Sequence, residues 1–179
     1  MSRRALDARR YEFAKDQPIL VDANILLYLY PPPSDSNYGW TRTYSAVWER
    51  LLKAQSCPLV DSLILSEYCN RYLRIEYVAS NDSFGNFKAF RRSAHASEVL
   101  RNVSAELKQI ASSCQLADTP ITHMNFDEIL QALSTGEQDF NDLILAENCR
   151  VNNWSLLTND SDMTMSDIDV LTANRRLLS

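Results

Sequence analysis

The sequence predicts an α/β fold built on a central parallel sheet, and three observations carry that prediction. Short apolar runs alternate with longer segments of helical periodicity along the 179 residues. Glycine is scarce, at 3 residues, which points to long helices. Two apolar runs lead into aspartates, Asp22 and Asp160, the placement expected of functional groups beyond the carboxyl ends of parallel strands.

The elements follow in order. Residues 1–17 are polar and carry Arg3, Arg4, Arg9 and Arg10, so they are expected to form an N-terminal arm or short helix, either solvated or contacting RNA or a partner. Pro18-Ile-Leu-Val-Asp22 reads as a buried strand, and Ile25–Tyr30 as a buried helix stopped by Pro31-Pro32-Pro33. Tyr44, Val47, Trp48, Leu51 and Leu52 recur at helical spacing over 41–55. Pro58-Leu-Val is a short strand, Asp61-Ser62 a helix cap, and Leu65, Tyr68, Cys69, Tyr72, Leu73 and Ile75 mark a helix over 63–78, with Glu67 off the apolar stripe. After a loop over 80–86, residues 87–114 read as one long, mostly polar helix bearing Lys88, Arg91, Arg92, Arg101 and Lys108. A strand within 116–122, a helix over 126–134 closed by Gly136, a helix over 142–152, a strand over 155–158 and a last edge strand over 169–172 complete the pattern.

Bulk properties bound the function. The length suits a single domain over 18–179 behind the arm. Hydrophobic residues at 45% and charged residues at 23% are those of an ordinary globular protein. A net charge of -5 argues against a general DNA coat protein but not against a nuclease, because acids gathered around a metal count as negative while the bound cation cancels them locally. Cys57, Cys69, Cys114 and Cys149 form no C-x-x-C pair and only His95 and His123 accompany them, so a zinc site is not expected. No apolar run approaches the roughly 18 residues of a membrane span, which predicts a cytoplasmic protein with no membrane partner.

Four acids, Asp22, Glu67, Asp142 and Asp160, lie where this fold brings side chains to one rim of the sheet. Like charges so placed repel by several kcal/mol in a cleft and stay ionised together only with cations between them. Oxygen ligands of this kind suit Mg2+ or Mn2+, which activate water for attack on a phosphodiester. The sequence lacks a Ser/His/Asp or Cys/His arrangement and a phosphate-cradling glycine loop, so nucleophilic hydrolase and nucleotide-binding readings have no support.

The segments Val21-Asp22-Ala23-Asn24, Leu65-Ser66-Glu67, Asn141-Asp142-Leu143-Ile144-Leu145-Ala146 and Leu157-Thr158-Asn159-Asp160-Ser161-Asp162 stand in an order and context that resemble the PIN-domain ribonucleases, and within them the VapC-type toxins of bacterial toxin–antitoxin pairs. The resemblance covers residues 18–163. It implies a PIN-like three-layer α/β/α sandwich with a mainly parallel sheet of four to five strands. It implies a Mg2+- or Mn2+-dependent endoribonuclease in which Asp22, Glu67, Asp142 and Asp160 hold the cation, with Asp162 as an added outer ligand. Asn24 then braces the first acid, Thr158 supports an acid or the metal's water, and Asp139 rivals Asp142 as third acid. An activated water attacks phosphorus in line and the 3′-oxygen leaves, giving a 5′-phosphate product from single-stranded or structured RNA. Arg91 and Arg92 are candidate RNA contacts, an antitoxin is a candidate partner, and the resemblance together with the aromatic-rich helices around Tyr44, Trp48 and Tyr72 suggests a homodimer. The rival readings are a catalytically weak PIN module that binds RNA or protein, and a structure-specific 5′-nuclease, which should be longer and more basic. The chain departs from the pattern in its length, in its basic stretch over 80–120, and in carrying Met163 where many relatives have Phe.

Overall fold

In the computed structural model, which describes residues 4–35, 38–80, 83–161, 163 and 167–178, six parallel strands form one sheet in the order β1-β6-β5-β2-β3-β4. The strands are β1 (Arg4–Asp7), β2 (Pro18–Val21), β3 (Cys57–Val60), β4 (Gln115–Leu116), β5 (Ser155–Leu157) and β6 (Asp169–Thr172). Successive residues of β2, β3, β5 and β6 are buried whichever way they point, so helices cover both faces and the architecture is the three-layer α/β/α sandwich. Alternating polarity is therefore missing from these strands, which appear in the sequence as continuous apolar runs. Pro58 is tolerated inside the sheet: the Cys57 N–H points to Gln17 on the β2 side, so the next backbone nitrogen faces the β4 side, where pairing begins only at Leu59.

The helices are α1 (Ala23–Leu29), α2 (Tyr38–Lys53), α3 (Ser62–Ala79), α4 (Phe87–Phe90), α5 (Ala94–Ser113), α6 (Phe126–Thr135), α7 (Phe140–Asn152) and α8 (Arg175–Leu178). Local chemistry sets their ends. The Asp61 carboxylate accepts the Ile64 N–H at the start of α3, and Asp139 accepts the Asp142 N–H at the start of α7. Gly136 closes α6 at φ +72°, in the left-handed region open to glycine.

Four expectations are corrected. The sheet has six strands rather than four or five, because Arg4–Asp7, within the segment expected to be a polar arm, pairs in parallel with Asp169–Thr172. Arg50 of α2 holds the following segment by donating to the carbonyls of Ala8, Arg9 and Tyr11 while lying over the Phe13 ring, and Arg9 is engaged by Asp7 at 2.7 Å. It follows that β6 is interior and not an edge strand. The long helix expected over 87–114 is broken: Ser93 accepts the Ala96 N–H and begins a new helix, while Phe90 packs among Tyr77, Phe84, Phe87 and His95. The strand expected within 116–122 shrinks to Gln115–Leu116, followed by a 3-10 turn at Ile121–His123.

The core gathers Ile19, Leu20, Val21, Ile25, Leu26, Tyr44, Leu51, Ile64, Tyr68 and Leu156, each essentially inaccessible to solvent. Tyr44 and Tyr72 are buried in the core of this chain, and Trp48 packs against the same core. None of the four cysteines is in a disulfide. Among the described residues no helix is long and apolar enough to cross a membrane.

Candidate active site

The sheet brings the carboxyl ends of β2 and β5 side by side, since Val21 pairs with Leu157 and the Asp22 N–H continues the ladder to the Leu157 carbonyl at 3.0 Å. Asp22, the residue after β2, is 5% exposed. Its Oδ2 accepts two short hydrogen bonds, from Asn24 Nδ2 at 2.6 Å and from Thr158 Oγ1 at 2.6 Å. Asn24 Nδ2 also lies 3.1 Å from Thr158 Oγ1, and that hydroxyl accepts the Asp160 N–H at 3.0 Å. One threonine thus ties the acid after β2 to the backbone of the acid after β5.

Asn159, just after β5, locks the same loop. Its N–H donates to Asn24 Oδ1 at 3.1 Å and its side-chain amide donates to the Tyr28 hydroxyl at 3.2 Å. The Tyr44 hydroxyl donates to Asn159 Oδ1 at 2.8 Å and accepts the Ala173 N–H at 3.0 Å, while Asn174 donates to the Asn159 carbonyl. The sequence marks Tyr44 as an apolar stripe residue of α2. Only the fold reveals that its polar end pins the loop after β5.

The other acids approach from the helices. Glu67 lies in the second turn of α3, half-buried, with its Oε1 accepting from Arg71 Nη1 at 3.1 Å. Asp142 is half-buried in the first turn of α7. Burial, reinforced by the charges of Glu67 and Asp160 and offset in part by the Thr158 hydrogen bond, pushes the Asp22 carboxyl up to about 6. Burial, followed by the charges of Asp139, Asp160, Asp22 and Glu67, pushes Asp142 up to about 7. The four predicted acids therefore share one electrostatic field at the carboxyl rim. Asp139 is the exposed cap of α7, and it acts on Asp142 by its charge.

Asp162 lies outside the described residues, and Met163 is buried at 2% exposure. Arg91 and Arg92 are exposed in the turn between α4 and α5, and neither lines the cleft formed by Asn24, Leu27, Tyr28, Asp35, Arg71, Arg74 and Ile75. Asp61, at the end of β3, is a buried neighbour that belongs to the scaffold: one oxygen caps α3 and the other accepts from Asn148 Nδ2 at 2.9 Å. Among the described residues, no group of three or more His, Cys, Asp or Glu side chains is gathered tightly enough to hold a metal ion. The four acids feel one another's charge without closing into a coordination shell. In chemistry the set is oxygen-only and anionic, which is the donor type of Mg2+ and Mn2+ and not of zinc.

No protein-family model matches the chain, and no curated protein matches it significantly. Solved structures do share its fold. The VapBC2 structure from Rickettsia felis, bound to a DNA fragment from its promoter, superposes with a TM-score of 0.54 at 16% identity, over 87% of this chain and 98% of that one. PAE2754 from Pyrobaculum aerophilum superposes with a TM-score of 0.51 at 17% identity, over 92% of this chain and 96% of that one. Nearly the whole of each neighbour is spanned, so the shared feature is the complete PIN-like α/β/α architecture.

Proposed function

We propose that this protein is a metal-dependent endoribonuclease whose site is formed by Asp22, Glu67, Asp142 and Asp160. The observation that carries the reading is a buried carboxylate at the sheet rim, Asp22, held by two side-chain donors while three further acids press their charge on it or its neighbours. Such an arrangement is costly as it stands. A divalent cation offsets that cost, and it supplies the charge stabilisation and activated water that phosphodiester hydrolysis needs.

The chain's own residues have distinct parts. Asn24 and Thr158 orient Asp22 by holding its Oδ2, and Asp22 would be one of the residues that hold the cation. Glu67, Asp142 and Asp160 would supply further oxygen donors, and Arg71 pairs with Glu67. Asp139 adds negative charge beside Asp142 from the helix cap. The PIN-like fold shared with the VapBC2 structure and the motif resemblance to VapC-type toxins support a role as the toxin of a toxin–antitoxin pair, with an antitoxin as partner and RNA as substrate.

The test is cleavage of a mixed-sequence single-stranded RNA by purified full-length protein with Mg2+, Mn2+ or EDTA, beside Asp22→Asn and Asp142→Asn. Cutting should require the metal and fall by at least about a hundredfold in each variant. Undiminished cutting in EDTA or by the variants would overturn the assignment.

A further inference from the structure

Next to the acids lies a cleft of about 360 Å3 lined by Asn24, Leu27 and Tyr28 of α1, by Arg71, Arg74 and Ile75 of α3, and by Asp35. Each helix contributes positions i, i+3 and i+4, so the cleft is the seam between two facing helix stripes. It opens directly onto the site: Asn24 holds Asp22, and Arg71 contacts Glu67. We propose that this seam is the track for the RNA strand beside the scissile bond, with Arg71 and Arg74 each binding a backbone phosphate; the inference rests on the ribonuclease reading above.

At 1.5 Å of helix rise per residue, Arg71 stands about 6 Å and Arg74 about 10 Å along α3 from Glu67. A strand leaving the acids along the seam therefore meets one guanidinium and then the next. The lining carries two guanidiniums, Arg71 and Arg74, and the carboxylate of Asp35; Arg71 is also paired with Glu67 at the mouth of the seam, so a phosphate there would share that pair, while Arg74 lies further from the acids. The Arg74 guanidinium lies 4.8 Å over the Phe87 ring and makes no ion pair among the described residues. Stacking places it without using up its N–H donors. Tyr28 forms part of the wall close enough to Arg71, Asp35 and Asp22 for all three charges to act on its hydroxyl.

The experiment measures binding of a labelled mixed-sequence single-stranded RNA across a salt series, in an Asp142→Asn background so that no cutting accompanies binding. Arg71→Gln and Arg74→Gln should each weaken binding about tenfold. Each should also lower the slope of log affinity against log salt by about 0.7, the value for one phosphate contact on a single strand, and together by about 1.4. Arg71→Lys and Arg74→Lys should restore the slope, which a merely structural role would not do, while Arg91→Gln and Arg92→Gln should leave it unchanged. An unchanged slope in the double Gln variant, a slope lowered by Arg91→Gln or Arg92→Gln in its place, or no RNA binding at all would overturn the track. A parallel cleavage assay in Mg2+ and Mn2+ separates the two readings. Slopes that fall in a protein that never cuts RNA would keep the track and remove the nuclease. Cutting with unchanged kcat/KM in the double Gln variant would keep the nuclease and remove the track.

Discussion

Asp22 is an acid shut away from water, and two hydrogen bonds to one of its oxygens are what make that position tolerable. A donor to the charged form lowers a carboxyl's pKa, and burial raises it; here burial dominates and the group sits at about 6. Thr158→Val removes the hydroxyl at nearly constant shape, leaving Oδ2 of Asp22 with the Asn24 amide and the carboxylate with its backbone hydrogen bond from Ala23. The expected loss of stability is about 2 kcal/mol at pH 8, where Asp22 is ionised, and clearly less at pH 5, where it is protonated. Urea unfolding at the two pH values measures this. Equal losses at both would mean that the hydroxyl does not support the charge. The motif containing Thr158 and Asn24 is legible in the sequence, but their joint hold on one carboxylate oxygen is not, because the two lie 134 positions apart.

At the scale of elements, α7 shows how one helix start serves both folding and the site. Asp139 caps the helix and Asp142, three residues on, faces the rim, so two acids that compete as candidates in the sequence have different work in space. Asp139→Asn keeps a side-chain oxygen for the cap and removes the charge, whereas Asp139→Ala removes both. Thermal unfolding should show a loss of about 1 kcal/mol for the Ala variant and little or none for the Asn variant. Both should bring the Asp142 carboxyl down from about 7 in an NMR titration. If Asp142 stayed near 7 in both, burial alone would set it. The break between α4 and α5 belongs to this scale as well: Phe87 and Phe90 fit a continuing helical pattern, and only their packing with Tyr77 and Phe84 shows why the chain turns at Ser93.

Across the whole molecule, the raised acids give stability a direction in pH. A carboxyl whose folded pKa exceeds its ordinary value of 3.8 contributes stability that is complete below about pH 4 and is lost as pH rises through the folded value, here about 6 for Asp22 and about 7 for Asp142. For Asp22 the loss amounts to about 3 kcal/mol, and the half-exposed Asp142 adds less than its displacement implies because solvent screens it. Asp7 and Glu147, lowered by their hydrogen bonds to Arg9 and Arg150, act oppositely, but their contributions fade only at pH below the usual carboxylate range and do not offset the effect between pH 5 and 8. The metal-free protein should therefore melt several degrees lower at pH 8 than at pH 5. Mn2+ at about a hundred times its Kd should raise Tm at pH 8 by roughly 5–10 °C and far less at pH 5, where protons occupy the acids. A Tm indifferent to Mn2+ at pH 8 would remove the cation from the site.

The sequence by itself determined the strands β2, β3, β5 and β6 and the approximate bounds of most helices, because buried parallel strands, caps and helical periodicity are local signals, and it pointed to four candidate acids. The tertiary structure alone decided which strand lies beside which. The place of β1 depends on β6, some 165 residues away along the chain, and on the Arg50 clamp, neither of which leaves a mark in residues 1–17. The same holds for the roles of Tyr44, Asn159 and Arg71. Each is ordinary in its own segment and acquires its part from a partner or a cleft supplied by another element, since hydrogen bonds and charges act across a few ångströms of space whatever the distance along the chain.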